Sequence, residues 1–418
     1  MTASLSRGAC PSLLAPMPTG DGLLARILPA RPMPLKAFAS LCAAALTHGN
    51  GTMEISARGS IQVRGLTPAS APPFATAVSA LGIEISDGVP VIADPLGDEP
   101  SALIDADALA RELRQAIAAA RLALAPKFSV IVDGGGRLHL DILNSDIRVR
   151  ALATSDSPLL HVALAGDGAT ASPLGAVARD EVCDAVLRLL ALIAAHGPEA
   201  RAAGVLRRLG IAAFQDAIGS HIVSELHPPL RLPAEMVGTH GLKDDLYALG
   251  IGFAFGHTEA DTLRALADIA RAHGGSWARP APTRTLLLGP FKRTTVKTIR
   301  DEARRLGFAV DATDPRRRVV ACPGAPACAS GMIASREIAA DLARDLPLSG
   351  DGIALHVSGC AKGCAHPKPT PLTVVGTARG AGIVYCGTAH ATPSAYADAA
   401  DLAEEIDRII ELRETVDA

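Results

Sequence analysis

The sequence lacks the features of a nucleic-acid-binding, membrane or exported protein. Its formal net charge is −3 over 418 residues, so no bulk electrostatic field favours nucleic acid or an acidic membrane surface. The most apolar stretch, 186–197, is interrupted by Arg188 and is too short to span a bilayer. The first residues show no continuous apolar core of a signal peptide, so we expect a cytoplasmic protein in a reducing compartment.

A dinucleotide-binding loop is also lacking. No G-x-G-x-x-G run follows a strand pattern and opens a helix pattern. The glycine-rich run at 133–136 lies within 125–153, where an apolar run and an alternating run predict a hairpin with Asp-Gly-Gly-Gly as its turn. The sequence therefore offers no NADH site.

The chain shows an internal duplication. Residues 20–66 and 247–290 each read as a strand, a helix that ends in a His-Gly pair, and an arginine-bearing strand. Arg58 lines up with Arg284 within a one-residue gap. With 49% hydrophobic and 20% charged residues, the chain is typical of a globular protein of several domains. We predict an α+β fold of two half-domain pairs related by a pseudo-twofold axis.

Two short Gly/Pro-rich segments carry four of the eight cysteines. Cys322 and Cys328 form a C-x5-C pair, and Cys360 and Cys364 form a C-x3-C pair. Four thiolates delivered by two loops are the ligand set of a cubane [4Fe–4S] cluster. The other cysteines, which show no spacing pattern and read as buried or incidental thiols, are Cys10, Cys42, Cys183 and Cys386.

Three simpler interpretations of the paired cysteines stay open. Structural zinc prefers shorter gaps than C-x5-C within each pair. Disulfides are disfavoured because nothing in the sequence indicates export. Buried thiols are the commonest state of cysteine, but chance rarely places four of them in two Gly/Pro-rich turns.

From Gly20 to the C-terminus, the sequence resembles the nitrite/sulfite reductase superfamily. The cysteine pairs match its signature, and 55–66 resembles its Thr-x-Arg-x-x-x-Gln strand, with Arg58 and Gln62 in the matching places. Residues 124–128 resemble its Leu-Pro-x-Lys-Phe motif and supply Lys127. The resemblance implies that a ferredoxin-like half-domain and a cluster-type half-domain each occur twice.

This resemblance gives expected domain boundaries. They are an N-terminal arm at 1–19, a ferredoxin-like half-domain at 20–90, a cluster-type half-domain without the cysteine motif at 91–224, a linker and second ferredoxin-like half-domain at 225–310, and a [4Fe–4S]-binding half-domain at 311–418.

Within the superfamily, the cysteine segments and the short chain resemble the branch that acts in aerobic cobalamin biosynthesis. That resemblance implies a monooxygenase-type oxidoreductase that hydroxylates precorrin-3A with dioxygen and closes a γ-lactone. It also implies electrons that come ultimately from NADH, which here requires a separate donor, and an association with mononuclear non-haem iron. No two-His-one-carboxylate pattern is visible. His366 is the nearest candidate ligand, although a hydrogen bond near the cluster is the preferred interpretation.

The main alternative is a siroheme-dependent sulfite or nitrite reductase, in which Cys364 would be the cysteine that bridges cluster and haem. Siroheme reductases carry an Arg-Asn pair where Val89 and Pro90 stand here, and a second lysine where Ser129 stands. These departures disfavour the reduction of a small anion. A non-catalytic tetrapyrrole carrier stabilised by zinc or by a cluster is a third possibility.

Basic residues are the expected contacts for the acetate and propionate groups of a tetrapyrrole, since guanidinium groups bind carboxylates in bidentate fashion. Even spacing predicts that Arg58 and Arg64 share one face of one strand. The predicted substrate-binding residues are Arg58, Gln62, Arg64, Lys127, Arg279 and Arg284.

Overall fold

A computed structural model describes residues 11–86, 88–345, 352–398 and 400–408. Cys10 and most of the predicted N-terminal arm lie outside the described residues. None of the helices in these ranges combines the length and apolar character that a bilayer crossing requires.

Two five-stranded antiparallel sheets form the ferredoxin-like half-domains. The first sheet consists, in spatial order, of β1 (Met17–Thr19), β2 (Gly22–Ile27), β5 (Ile61–Leu66), β4 (Thr52–Ile55) and β14 (His257–Glu259). The second consists of β12 (Gly238–Gly241), β13 (Leu246–Gly252), β16 (Thr285–Lys292), β15 (Trp277–Ala281) and β3 (Met33–Pro34).

The two half-domains exchange their edge strands. β14 pairs with β4 of the first sheet, and β3 pairs with β15 of the second. The helix that follows each exchanged strand begins with a matching hydrogen bond, from Leu35 N to Ser276 O (2.9 Å) and from Ala260 N to Gly51 O (2.7 Å). The exchange ties both half-domains into a single apolar core. Burial of this continuous apolar surface is their main source of stability.

Two mixed sheets form the cluster-type half-domains. The first, in spatial order, consists of β11 (Ile222–Ser224), β10 (Ser172–Val177), β9 (Leu159–Gly166), β8 (Ser145–Leu152), β7 (Val130–Asp133) and β6 (Val91–Ala93). The second consists of β17 (Val319–Ala321), β18 (Leu355–Ser358), β19 (Thr370–Thr377), β20 (Gly380–Gly387) and β21 (Ala395–Ala397). In each sheet three parallel strands are followed by antiparallel ones, so the two sheets repeat one topology.

The helices cover these sheets. They are α1 (Leu35–His48), α2 (Ala71–Ser79), α3 (Ala106–Ala120), α4 (Val182–Ala194), α5 (Ala202–Leu209), α6 (Ile211–Ile218), α7 (Ala260–Ala272), α8 (Arg293–Arg305) and α9 (Ser335–Asp345). Residues 402–408 are also helical, and the rest of the predicted C-terminal helix lies outside the described residues.

The duplicated α+β architecture predicted from the sequence is confirmed, with one local error. The stretch 125–153 is not a hairpin, because β7 and β8 are parallel neighbours joined by an irregular loop. An alternating pattern does not show strand direction, and Asp-Gly-Gly-Gly only imitates a tight turn. The predicted domain boundaries stay predictions.

Candidate functional site

The first cysteine pair lies in the loop between β17 and α9. Cys322 follows the last residue of β17, and its backbone N–H donates to Val357 O of the parallel neighbour β18 (3.2 Å). Further along, Cys328 N donates to Gly324 O (2.7 Å) and Gly331 N donates to Cys328 O (2.8 Å). These bonds fold the loop back on itself, so both thiols stay near the carboxyl edge of the sheet.

The second cysteine pair follows β18 at the same edge. Gly359 N donates to Cys322 Sγ (3.0 Å), which is the kind of N–H···S bond that tunes a thiolate ligand. A Cβ at Gly359 would lie 2.9 Å from Gly324 Cα and 3.3 Å from Gly331 Cα, so only glycine allows this approach. The two loops therefore pack backbone against backbone.

All four thiols interact electrostatically. The pKa of Cys364 is raised, first by burial and then by the negative charges of the other three cysteines, Cys322, Cys360 and Cys328. Four such thiols are the ligand set that a cubane iron–sulfur cluster requires. The side chain of Cys328 also touches the N-terminal hairpin, because a Cβ at Gly20 would lie 2.1 Å from its Sγ.

The four thiols come from two loops that pack against each other. Within the described ranges, no group of three or more His, Cys, Asp or Glu side chains could hold one metal ion together. A cubane needs a wider ligand spacing, because each thiolate bonds to its own iron. The described residues thus assemble no ready ligand set for zinc or for mononuclear iron around His366.

Arg58 does not lie on the strand that carries Arg64, contrary to the prediction from even spacing. It lies in the turn between β4 and β5, where it bridges to Pro282, and the turn breaks the alternation. Its Nη2 donates to Ser129 Oγ (3.1 Å). Lys127 is exposed two residues before Ser129, so both motifs from the resemblance meet here.

Arg64 lies on β5 with Gln62, and both point away from the apolar core. The guanidinium of Arg64 donates to both carboxylate oxygens of Asp21 (2.8 and 2.6 Å) and to Glu54 Oε2 (3.3 Å). With the residue only 9% exposed, this ionic network orients the guanidinium and neutralises its charge.

Arg279 is held in a similar way. It lies on β15 and forms a bidentate pair with Asp107 on α3, with both N–H···O distances at 2.7 Å. The pair joins the second ferredoxin-like half-domain to the first cluster-type half-domain. Its parallel geometry is the strongest that guanidinium and carboxylate adopt.

Arg284 connects the ferredoxin-like hairpin to the second cysteine loop. It lies in the turn between β15 and β16, not on a strand, and its Nη2 donates to Ala365 O (3.2 Å), next to Cys364. Burial lowers the pKa of this guanidinium, and Glu54 opposes the shift. Arginine nevertheless stays protonated, so Arg284 puts a fixed positive charge beside the cysteines.

A buried histidine at this site was not predicted from the sequence. His356 on β18 is 0% exposed, and neither ring nitrogen has a hydrogen-bond partner among the described residues. Its ring lies 6.0 Å from that of His366 in an edge-on arrangement. Burial, then His366 and Arg284, lower the pKa of His356 to about 4, so the ring is neutral at pH 7. In the sequence it looks like one polar residue within an apolar strand.

The fold is that of nitrite and sulfite reductases. The solved structure of the Mycobacterium tuberculosis NirA protein matches with a TM-score of 0.69 and 18% identity, over 93% of this chain and 80% of that one. The sulfite reductase (ferredoxin) of Synechococcus elongatus is 25% identical over 292 residues, which is 60% of this chain and 46% of that protein. Fold and cysteine loops together define a member of the nitrite/sulfite reductase superfamily.

Sequence similarity is more specific. No family model matches the chain. The precorrin-3B synthase of Sinorhizobium sp is 37% identical over 401 residues, which is 95% of this chain and 86% of that protein. The chain belongs to the precorrin-3B synthase family, and the family predicted from its motifs is confirmed.

Proposed function

We propose that the protein is an oxidoreductase that converts precorrin-3A to precorrin-3B by dioxygen-dependent hydroxylation and γ-lactone formation. The observation that carries this proposal is the 37% identity to a precorrin-3B synthase along 95% of the chain. In this reaction one oxygen atom enters the macrocycle and the other leaves as water. Two electrons and two protons balance the second atom.

Cys322, Cys328, Cys360 and Cys364 would hold a [4Fe–4S] cluster, which supplies single-electron transfer when it is bound. The chain's own contribution is to position these thiols. Gly359 donates to Cys322 Sγ, and the close approach of the glycine backbones fixes the loops. Arg284 places a positive charge beside the second pair through its hydrogen bond to Ala365 O.

The basic residues around Arg58 would bind the carboxylates of the macrocycle. Arg58 and the exposed Lys127 lie near Ser129, and Gln62 lies on the adjacent strand. Arg64 and Arg279 already have carboxylate partners, so we assign them the role of shaping the cavity walls. Arg284 would place positive charge between cluster and substrate.

Electrons would come from a separate protein fed by NADH, because no dinucleotide loop occurs in the sequence. A mononuclear iron site for dioxygen belongs to the same proposal, and the described residues do not assemble one. If the purified protein oxidised NADH by itself with precorrin-3A and dioxygen, the separate donor would be wrong.

The alternative, a siroheme-dependent reductase, is favoured only by the NirA-like fold and the 25%-identical sulfite reductases. One experiment separates the two functions. Iron–sulfur-loaded protein is incubated with precorrin-3A, a ferredoxin-type reductant and isotopically labelled dioxygen, and the product is analysed by mass spectrometry. A product with one labelled oxygen supports the proposal. An unchanged substrate, with sulfite or nitrite reduced instead, would refute it.

A further inference from the structure

We propose that a cleft beside Arg58 binds one carboxylate arm of the substrate and that Arg114 is its main contact. The inference rests on the proposed function and names a subsite for it. Arg114 lies on α3 and did not emerge from the sequence motifs.

The cleft runs along β6, an edge strand of the first cluster-type sheet. The enclosed part of the cleft has a volume of about 30 Å³, and the space that includes the open mouth is about 430 Å³. Its wall includes Arg58, Ser86, Val91, Arg114, Arg279 and Pro282. The enclosed part has room for only about two water-sized groups, so a macrocycle of four pyrrole-derived rings does not fit there, whereas the two oxygens of one carboxylate do.

Arg279 and Arg114 on the cleft wall differ in their hydrogen-bond partners. Arg279 is satisfied by its bidentate pair with Asp107. Arg114 is only half-buried and donates to two neutral carbonyl oxygens, Val91 O (3.0 Å) and Ala30 O (3.5 Å). Burial lowers the pKa of Arg114, and the negative charges of Glu84 and Asp107 oppose this shift only in part. A carboxylate bound in the cleft would add to that compensation.

An unsatisfied hydroxyl lines the same cleft. Ser86 Oγ is buried and has no hydrogen-bond partner among the described residues. Buried hydroxyl groups are nearly always hydrogen-bonded, so an orphan at a cleft wall indicates a missing partner. A carboxylate could accept from both Ser86 and Arg114.

The cleft is also close to the cysteine loops. Arg58 bridges to Pro282 on the cleft wall, and two residues later Arg284 donates to Ala365 O next to Cys364. The cleft and the second cysteine loop therefore lie on either side of one turn. A substrate anchored here by an acid arm could extend its macrocycle toward the cluster.

The test is anaerobic titration of the cluster-loaded protein with precorrin-3A, without reductant, so that binding is measured without turnover. Arg114→Met should weaken binding by about 10- to 100-fold, the usual worth of a charged hydrogen bond. The control, Arg111→Met, removes an exposed charge from the same helix and should change binding by less than about 3-fold. If Arg114→Met binds as well as Arg111→Met does, the cleft assignment is wrong and the proposed function stands. If the wild-type protein does not bind precorrin-3A, the proposed function fails.

A second variant keeps the proposal testable if Arg114→Met does not fold. Ser86→Asp would place a carboxylate in the cleft beside Arg114, occupying the subsite from within. Binding of precorrin-3A should then weaken by about 10-fold or more while the melting temperature is maintained. Unchanged binding by a folded Ser86→Asp protein would overturn the assignment.

Discussion

Asp94 and Cys322 occupy equivalent positions in the two cluster-type half-domains. Each directly follows the last residue of the first parallel strand. Asp94 N donates to Val132 O (3.1 Å), as Cys322 N donates to Val357 O (3.2 Å). The first half-domain therefore retains the loop geometry of the cluster site but carries a carboxyl group in place of a thiol.

The loops continue in parallel after this point. Leu103 N donates to Gly134 O (2.8 Å) and Met332 N donates to Gly359 O (2.7 Å), so the two glycines are also equivalent. The first loop region is closed by Arg231 from the linker, which pairs with Asp133 and Asp141. An ionic network, not a set of thiols, therefore holds the loop that follows β7.

We predict that Asp94→Asn stabilises the protein at high pH. Asp94 is 2% exposed, and burial followed by the charge of Asp133 raises its pKa well above the usual value. The carboxyl group favours folding while protonated, and this contribution is lost as pH rises through the folded-state pKa. The neutral amide of the Asn variant avoids this loss, which amounts to about 1–3 kcal/mol of unfolding free energy.

The measurement is the melting temperature as a function of pH. The advantage of Asp94→Asn over wild type should be larger at about pH 8 than at about pH 5. Asp98→Asn, an exposed neighbour, serves as the control. An Asp94→Asn variant that is less stable than wild type across this range would show that the ionised form is needed.

Gly20→Ala should impair cluster loading. The added Cβ would lie 2.1 Å from Cys328 Sγ, so the hairpin or the thiol must move, at a cost of about 1–3 kcal/mol. We expect a lower iron content after reconstitution under limiting iron. Gly97→Ala is the matched control, since nothing lies within 4 Å of its added Cβ. Equal iron contents in the two variants would contradict the contact.

The Arg279–Asp107 pair has a counterpart with reversed charges. Glu54 and Arg336 occupy the equivalent strand and helix positions of the other half and approach to 4.0 Å. Because the charges are reversed in this counterpart, we predict that the Arg279–Asp107 pair still forms when its two charges are exchanged. Arg279→Glu or Asp107→Arg alone leaves like charges facing each other and should cost about 3–5 kcal/mol of unfolding free energy. The double variant, Arg279→Glu with Asp107→Arg, should recover at least half of the lost unfolding free energy.

Denaturant unfolding of the two single variants and the double variant measures this coupling. Additive losses, with no recovery in the double variant, would show that local packing rather than charge pairing holds the interface.

Cys364→Ser should abolish the cubane signal, because an alkoxide is a poor substitute for the thiolate of one iron. Iron content, visible absorbance and the EPR spectrum of the reduced protein report on it. The control is Cys386→Ser, an exposed cysteine outside the two loops, which should leave all three unchanged. A full cluster signal in the Cys364→Ser variant would remove this residue from the ligand set.

Local patterns predicted the site better than long-range ones. The cysteine loops are recognisable because their spacing and glycines lie within a few residues of each other. The partner of Arg64 was not recognisable in the sequence, because Asp21 lies 43 positions away and only the folded sheet brings it close. The exchanged strands β3 and β14 have two and three residues, too few to show a periodic pattern.

The misplaced hairpin and the proposed role of Arg114 escaped prediction from the sequence for a similar reason. Strand direction and cleft walls depend on which elements pack together, and a single sequence does not encode that in its hydrophobic period. Arg114 reads as one more polar residue on an amphipathic helix. Only its position beside β6 distinguishes it from Arg111.

The most direct test of the account is the composition and spectrum of the protein isolated without oxygen. The account predicts about four iron and four sulfide per chain, a single reduced-cluster EPR signal and no siroheme bands. Zinc in place of iron, or an extractable siroheme, would contradict it.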